Sequence, residues 1–187
     1  VESEESWAGN RVGETRGGVV AITPELHEAL NDQVTLELAS SHQYLALSAW
    51  LEGEGLPGMA HWMRIQAGEE NEHAMKFYEF LVDRGVTVKL GPLPEPESEF
   101  GSVIDVFRAS LAAEQKVTAA INNIYTLATD ARDFASYPLL DWFVNEQVEE
   151  EATVQQIIDD LERTQGNGHA LLMLDRELGG RREGEHE

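Results

Sequence analysis

The chain has 187 residues and no cysteine, with 13 Lys+Arg against 35 Asp+Glu for a net charge of −22. One domain of this length can bury a sizeable core, and a 42% hydrophobic content is enough to build it, which excludes a wholly disordered chain. The acidic field repels nucleic acid and draws in cations, and the lack of cysteine removes disulfides, thiolate metal sites and cysteine nucleophiles.

No apolar run approaches the roughly 20 residues that cross a bilayer, so no membrane partner is expected. The first residues, VESEESWAGNRVGETRGG, have neither the basic start nor the apolar stretch of a signal peptide. A cytoplasmic location is the expectation, although a Val1 start is also what a removed leader would leave. The charge has a plain reading, solubility or a salty environment, which stands beside cation binding until the acids are placed.

Residues 1–22 hold four glycines, four glutamates and two arginines without a sustained period, and read as an N-terminal arm. Thr23 as N-cap and Pro24 in the first turn open a helix to about Gly53, with Leu26, Leu30, Val34, Leu38 and Leu45 on its apolar period. A second helix is predicted from Pro57 to Arg84, stopped by Gly85. The linker VTVKLGPLPEPESEFG follows, with three prolines and a length beyond any tight turn. Ser102 and Asp105 make a capping pair for a third helix to about Thr129, and a fourth runs from Pro138 to Thr164. After QGNGH, the piece ALLMLDREL reads as a short fifth helix. Residues 181–187, RREGEHE, form a tail. The expected fold is all-α: a four-helix bundle whose long connection between the second and third helices crosses its length.

The helical stripes are interrupted by acids. In the third, Phe107, Leu111, Glu114, Val117, Ile121, Ile124 and Leu127 put a glutamate where the core should be. The fourth stripe, Leu140, Phe143, Gln147, Glu150, Val154, Ile157 and Leu161, is broken by Gln147 and Glu150. In the second, Trp62, Gln66, Glu70, His73, Phe77 and Leu81 are broken by Glu70 and His73, three residues apart and so on one face. The first helix adds Glu37. Helix midpoints fall near residues 38, 70, 115 and 151, so all the interruptions converge on one layer whichever way neighbours run. Four carboxylates in a dry layer cost several kcal/mol each unless cations neutralise them, and no Lys or Arg lies on these seams. Oxygen ligands with one imidazole suit iron or manganese.

These residues resemble the ferritin family, in particular non-haem bacterial ferritins. The resemblance is carried by LNDQVTLELASSHQYLALSAW, AGEENEHAMKFYEFLVDRG, AAEQKVT and DWFVNEQVEEE, in order and spacing, and makes 23–180 a ferritin-like domain. It implies iron storage and detoxification by a ferroxidase with a di-iron centre in each subunit, using O2 or H2O2 and storing ferric oxide mineral in a cage of twenty-four copies. By position, Glu37, Glu70 and His73 hold the first iron with Gln147 beside it. Glu70 bridges to a second iron held by Glu114 and Glu150. Tyr44 matches the tyrosine next to the centre, Trp142 is a weaker candidate for electron donation, and Glu69, Glu146 and Glu149 match a third iron position.

Departures from relatives are informative. Asn71 stands where a bacterioferritin has its haem-binding methionine, so haem is not expected. The acids of the animal three-fold channel fall on Tyr137 and Leu140, leaving Asp130, Asp133 and Asp141 as substitutes. The alternative function, a rubrerythrin-like di-metal peroxidase, calls for a second E-x-x-H or a cysteine domain, and the sequence has neither. A metal-free structural bundle would be more stable with leucine on the seams. DNA-protecting cages place their metal between subunits and would be repelled by DNA at this charge.

Overall fold

The computed structural model describes residues 21–182. The arm expected over 1–22, apart from Ala21 and Ile22, and the last five residues of the tail lie outside the described residues. Among those described, there are five helices and no strand: α1 (Pro24–Gly53), α2 (Pro57–Asp83), α3 (Val103–Asp130), α4 (Tyr137–Arg163) and α5 (Gly168–Leu178). Thr23 Oγ1 accepts the Leu26 N–H, and Ser102 Oγ accepts the Asp105 N–H while donating to the Asp105 carboxylate at 2.7 Å. Both caps read from sequence are therefore formed. Gly55 and Gly85 end the first two helices at φ +74° and +70°, where a side chain would be strained.

The segment between α2 and α3 runs along α1 as a strap. Thr87 O accepts from His27 Nε2 at 2.8 Å, Lys89 N–H donates to Asn31 Oδ1 at 2.7 Å, and Gly91 N–H donates to Thr35 Oγ1 at 3.0 Å. Two extended residues advance about 6.6 Å and four helical residues about 6 Å, so the alternation keeps step with the turns of α1. Further on, Glu97 exchanges two hydrogen bonds with the Gln43 amide, and Phe100 meets Trp50 edge-on. Both partners increase in number together, so the strap is parallel to α1 and delivers the chain to the opposite end before α3 starts. The bundle is therefore up, down, down, up.

Two apolar clusters fill it. One holds Tyr44, Leu47, Leu51, Met59, Trp62, Phe107, Val154, Ile157 and Leu161; the other holds Leu26, Leu30, Val34, Phe77, Leu81, Ile121, Ile124, Leu140 and Phe143. Between them in every helix lie the residues that broke the stripes. One expectation for α1 is corrected: Leu45 is 50% exposed and Leu38 half-buried, because the inward line passes through Val34, Glu37, Tyr44, Leu47 and Leu51. Leu38 and Leu45 each lie one residue, about 100° of turn, off that line. Among the described residues no helix is long and apolar enough to cross a membrane.

Helix α5 seats on the start of α2. The N-cap residue Leu56 has no side-chain acceptor, and the buried Asp175 carboxylate of α5 accepts the Met59 N–H at 2.9 Å instead. An anion there also suits the helix dipole. Gly58 makes the approach feasible, since a Cβ would fall 1.7 Å from Asp175 O. Gly58→Ala should therefore lift α5. Hydrogen exchange over Gly168–Leu178 is expected to speed at least about tenfold while α1 and α3 stay protected; an unchanged exchange map would show that the seat does not rest on this contact.

Candidate metal centre

All four bundle helices contribute to the layer between the clusters. Glu37 (α1), Glu70 and His73 (α2), Glu114 (α3), and Gln147 and Glu150 (α4) are buried, as is Tyr44. Glu37, Glu70 and His73 bring one ligand atom each within 4.8 Å of one another, and so do His73, Glu146 and Glu150. Glu114 belongs to neither group. Its carboxylate accepts hydrogen bonds from Tyr44 OH and, at 3.3 Å, from Gln147 Nε2, which also reaches Glu114 O at 3.2 Å. Tyr44 OH in turn accepts from Ser110 Oγ at 2.9 Å.

Some donors have partners and some do not. Glu37 Oε1 accepts from Gln33 Nε2 and Glu150 Oε2 from Gln66 Nε2, each at 2.8 Å. Glu37 Oε2 and Glu70 Oε2 are buried with no hydrogen-bond partner. Two orphaned carboxylate oxygens beside a histidine, whose Nδ1 lies 3.7 Å from Glu70 Oε2, are an arrangement that favours cations: hard oxygen donors, one imidazole and no water to solvate charge. The electrostatics agree. Burial pushes Glu37 up to about 7 and Glu150 up to about 8, and it raises Glu70 and Glu114, with their mutual charge adding to the effect on Glu70. Burial, then the charge of Glu114, also raises Tyr44.

The acids expected at a third iron position are not gathered. Glu146 is buried, with Oε1 3.9 Å from His73 Nε2, because α4 turns it toward α2 rather than away from the centre. Glu149 is exposed. Both oxygens of Glu69 accept from Arg181 Nη2, at 3.1 and 2.9 Å. Trp142 stands edge-on to His73, 5.4 Å between ring centroids, with Lys76 Nζ 4.4 Å above its ring. Asp133, one of the three substitutes named for the channel acids, is buried in a two-point pair with Arg84 at 3.0 and 2.9 Å and accepts from Ser136 Oγ, whereas Asp130 and Asp141 are exposed. Leu140 lies in the core, and Tyr137 stacks on Tyr125.

Sequence reasoning missed the supports of the centre. Gln33, Gln66 and Ser110 are buried polar residues one turn before Glu37, Glu70 and Glu114. That i−4 spacing on three helices was the available signal. Arg181 had none.

Comparison with known proteins agrees with this geometry. The family model for the ferritin-like domain matches residues 27–164. A "Bacterial non-heme ferritin" of Staphylococcus haemolyticus (strain JCSC1435) is 36% identical over 160 residues, covering 86% of this chain and 96% of that protein. Its namesake from Staphylococcus aureus (strain MRSA252) has the same identity and coverage. Among solved structures, a novel open pore ferritin from the hyperthermophilic archaeon Archaeoglobus fulgidus superposes with a TM-score of 0.84 at 40% identity, covering 86% of this chain and 99% of that one. A humanized archaeal ferritin gives 0.85 at 37%, covering 88% and 99%. The chain belongs to the ferritin family.

The raised carboxylates fix a pH dependence. A carboxyl whose pKa is higher folded than unfolded stabilises the fold fully below the unfolded value of 4.5, and that contribution is lost as pH rises through about 7 for Glu37 and 8 for Glu150. In Glu37→Gln the group stays neutral. The variant's melting temperature, measured without metal, should match wild type near pH 5 and exceed it by several degrees at pH 8, a difference on the order of 3 kcal/mol. A pH-independent difference would contradict this account.

Proposed function

We propose that this chain stores iron and oxidises Fe2+ to Fe3+ at a dinuclear site within each subunit. The single observation that carries the reading is the pair of buried, unpartnered carboxylate oxygens on Glu37 and Glu70 in a layer shared by all four helices. Glu37, Glu70 and His73 take the first Fe2+, with Gln147 beside it, and Glu70 bridges to a second held by Glu114 and Glu150. Carboxylates suit this work because they bind through one or two oxygens and favour the more highly charged ferric product.

Ligand deprotonation follows from the geometry. Protons held by Glu37 and Glu150 near neutral pH leave as cations enter. Two Fe2+ give up two electrons, which with two protons reduce O2 to H2O2, or H2O2 to water. Tyr44, bonded to Glu114, holds that carboxylate in place until a cation competes for it and is near enough to donate an electron. Ferric iron then leaves the layer and hydrolyses to mineral in a cage of twenty-four copies, where the acidic surface supplies nucleation sites. A rubrerythrin-like peroxidase has less support, since α4 offers Gln147 and Glu150 rather than a second E-x-x-H.

Stopped-flow absorbance after adding two Fe2+ per subunit in air tests the reading, with particle size measured in the same buffer. Wild type should develop ferric absorbance quickly in a large particle, and Glu70→Ala should slow the first phase at least about tenfold without changing size. Equal, slow oxidation by both proteins would refute the assignment. Tyr44→Phe should retain binding of both ions and slow only the reaction that follows.

A further inference from the structure

The segment that follows α5 comes back to the centre. After α5, Gly179 and Gly180 let the backbone close against α2, where a Cβ on Gly179 would meet Gly58 Cα at 2.9 Å. His61 Nε2 donates to Arg181 O at 3.1 Å, and the Arg181 guanidinium lies 5.2 Å over the Trp62 ring. Gly58, Trp62, Gln66 and Glu69 occupy successive turns on one face of α2, so Arg181 lies along the helix that carries Glu70. Its side chain is 6% exposed.

A guanidinium so buried costs several kcal/mol unless paired, and this one is paired twice. Nη2 bonds both oxygens of Glu69, and Nη1 donates to Gln66 Oε1. With its carbonyl held by a cation, the Gln66 amide has one favourable orientation: Nε2 faces away from Arg181 and donates to Glu150 Oε2 at 2.8 Å. Reversal would put two donors against each other at Arg181, whose guanidinium has no acceptor to offer.

Resting on the iron-site reading above, we propose that Arg181 is a positioning residue of the centre: through Gln66 it sets Glu150 for the second metal ion, and its own charge occupies Glu69 and limits the subunit to two ions. The segment after α5 thereby becomes a component of the site, and seating of α5 becomes a condition for it.

Calorimetric titration of metal-free, assembled protein with Zn2+, a redox-inert probe, separates the possibilities. Wild type should take two ions per subunit. Arg181→Ala should weaken one of them by about tenfold or more and gain a third, which disappears again when Glu69→Gln is added. Gln66→Leu should weaken the same ion without adding a third, and Arg182→Ala, which removes an exposed charge one residue on, should titrate as wild type. Arg181→Lys keeps the charge but loses the fork, so it should exclude the third ion while leaving the other weakened. Wild-type stoichiometry and affinity in Arg181→Ala would overturn the proposal; if that variant does not assemble, undiminished binding by Gln66→Leu overturns it instead. Equal binding by wild type and Glu70→Ala would bring down the iron-site reading and this proposal together.

Discussion

Four carboxyl groups crowded into a dry layer are the constraint on which this molecule depends. Glu37, Glu70, Glu114 and Glu150 come one from each helix, and they divide what would be a continuous core into two apolar clusters. Leucine at those positions would hold the bundle together better. The protein keeps acids there and surrounds them with amide and hydroxyl donors from Gln33, Gln66, Gln147 and Tyr44, which satisfy some carboxylate oxygens and leave others open. A fold stabilised at its two ends can carry an unfavourable middle, and the unfavourable middle is what gives a cation its affinity.

The topology follows from the same requirement. Residues at four helix midpoints meet whichever way the helices run, so direction is set elsewhere, by the strap. Because the strap lies parallel to α1 and is bonded to it from His27 to Gln43, α3 begins at the same end of the bundle as α2. The Glu114 contribution then arrives from a helix parallel to the one that supplies Glu70 and His73.

How much could be read from sequence varied with the range of the interaction. Caps at Thr23 and Ser102 and the glycine stops are local, and the helix ends fell within a residue or two of expectation. The layer was legible because an acid on an apolar stripe contradicts its own neighbours. Leu45 was misread because α1 carries leucine on more than one face, so period alone did not choose the inward line. Glu146 lies one residue before Gln147 and off the apolar stripe, so nothing local marked it as facing the centre; its approach to His73 depends on contacts between α4 and α2. Arg181 contacts residues 112 and 115 positions earlier, beyond two glycines that carry no pattern. Nothing local marked Asp133 as buried, because its partner, Arg84, is 49 residues away.

The strap and α1 behave like two rulers of slightly different pitch. They agree at Thr87, Lys89 and Gly91 against His27, Asn31 and Thr35, two residues to each four. By Glu97 the strap has spent six residues against the eight from Thr35 to Gln43, two more than the match requires, and the surplus lies in the proline stretch Pro92–Pro96. Slack of that kind is where a chain absorbs a change in length. An inserted or deleted residue between Pro92 and Pro96 alters only the bow of the strap, whereas one between Thr87 and Gly91 turns every alternate backbone group away from its partner on α1.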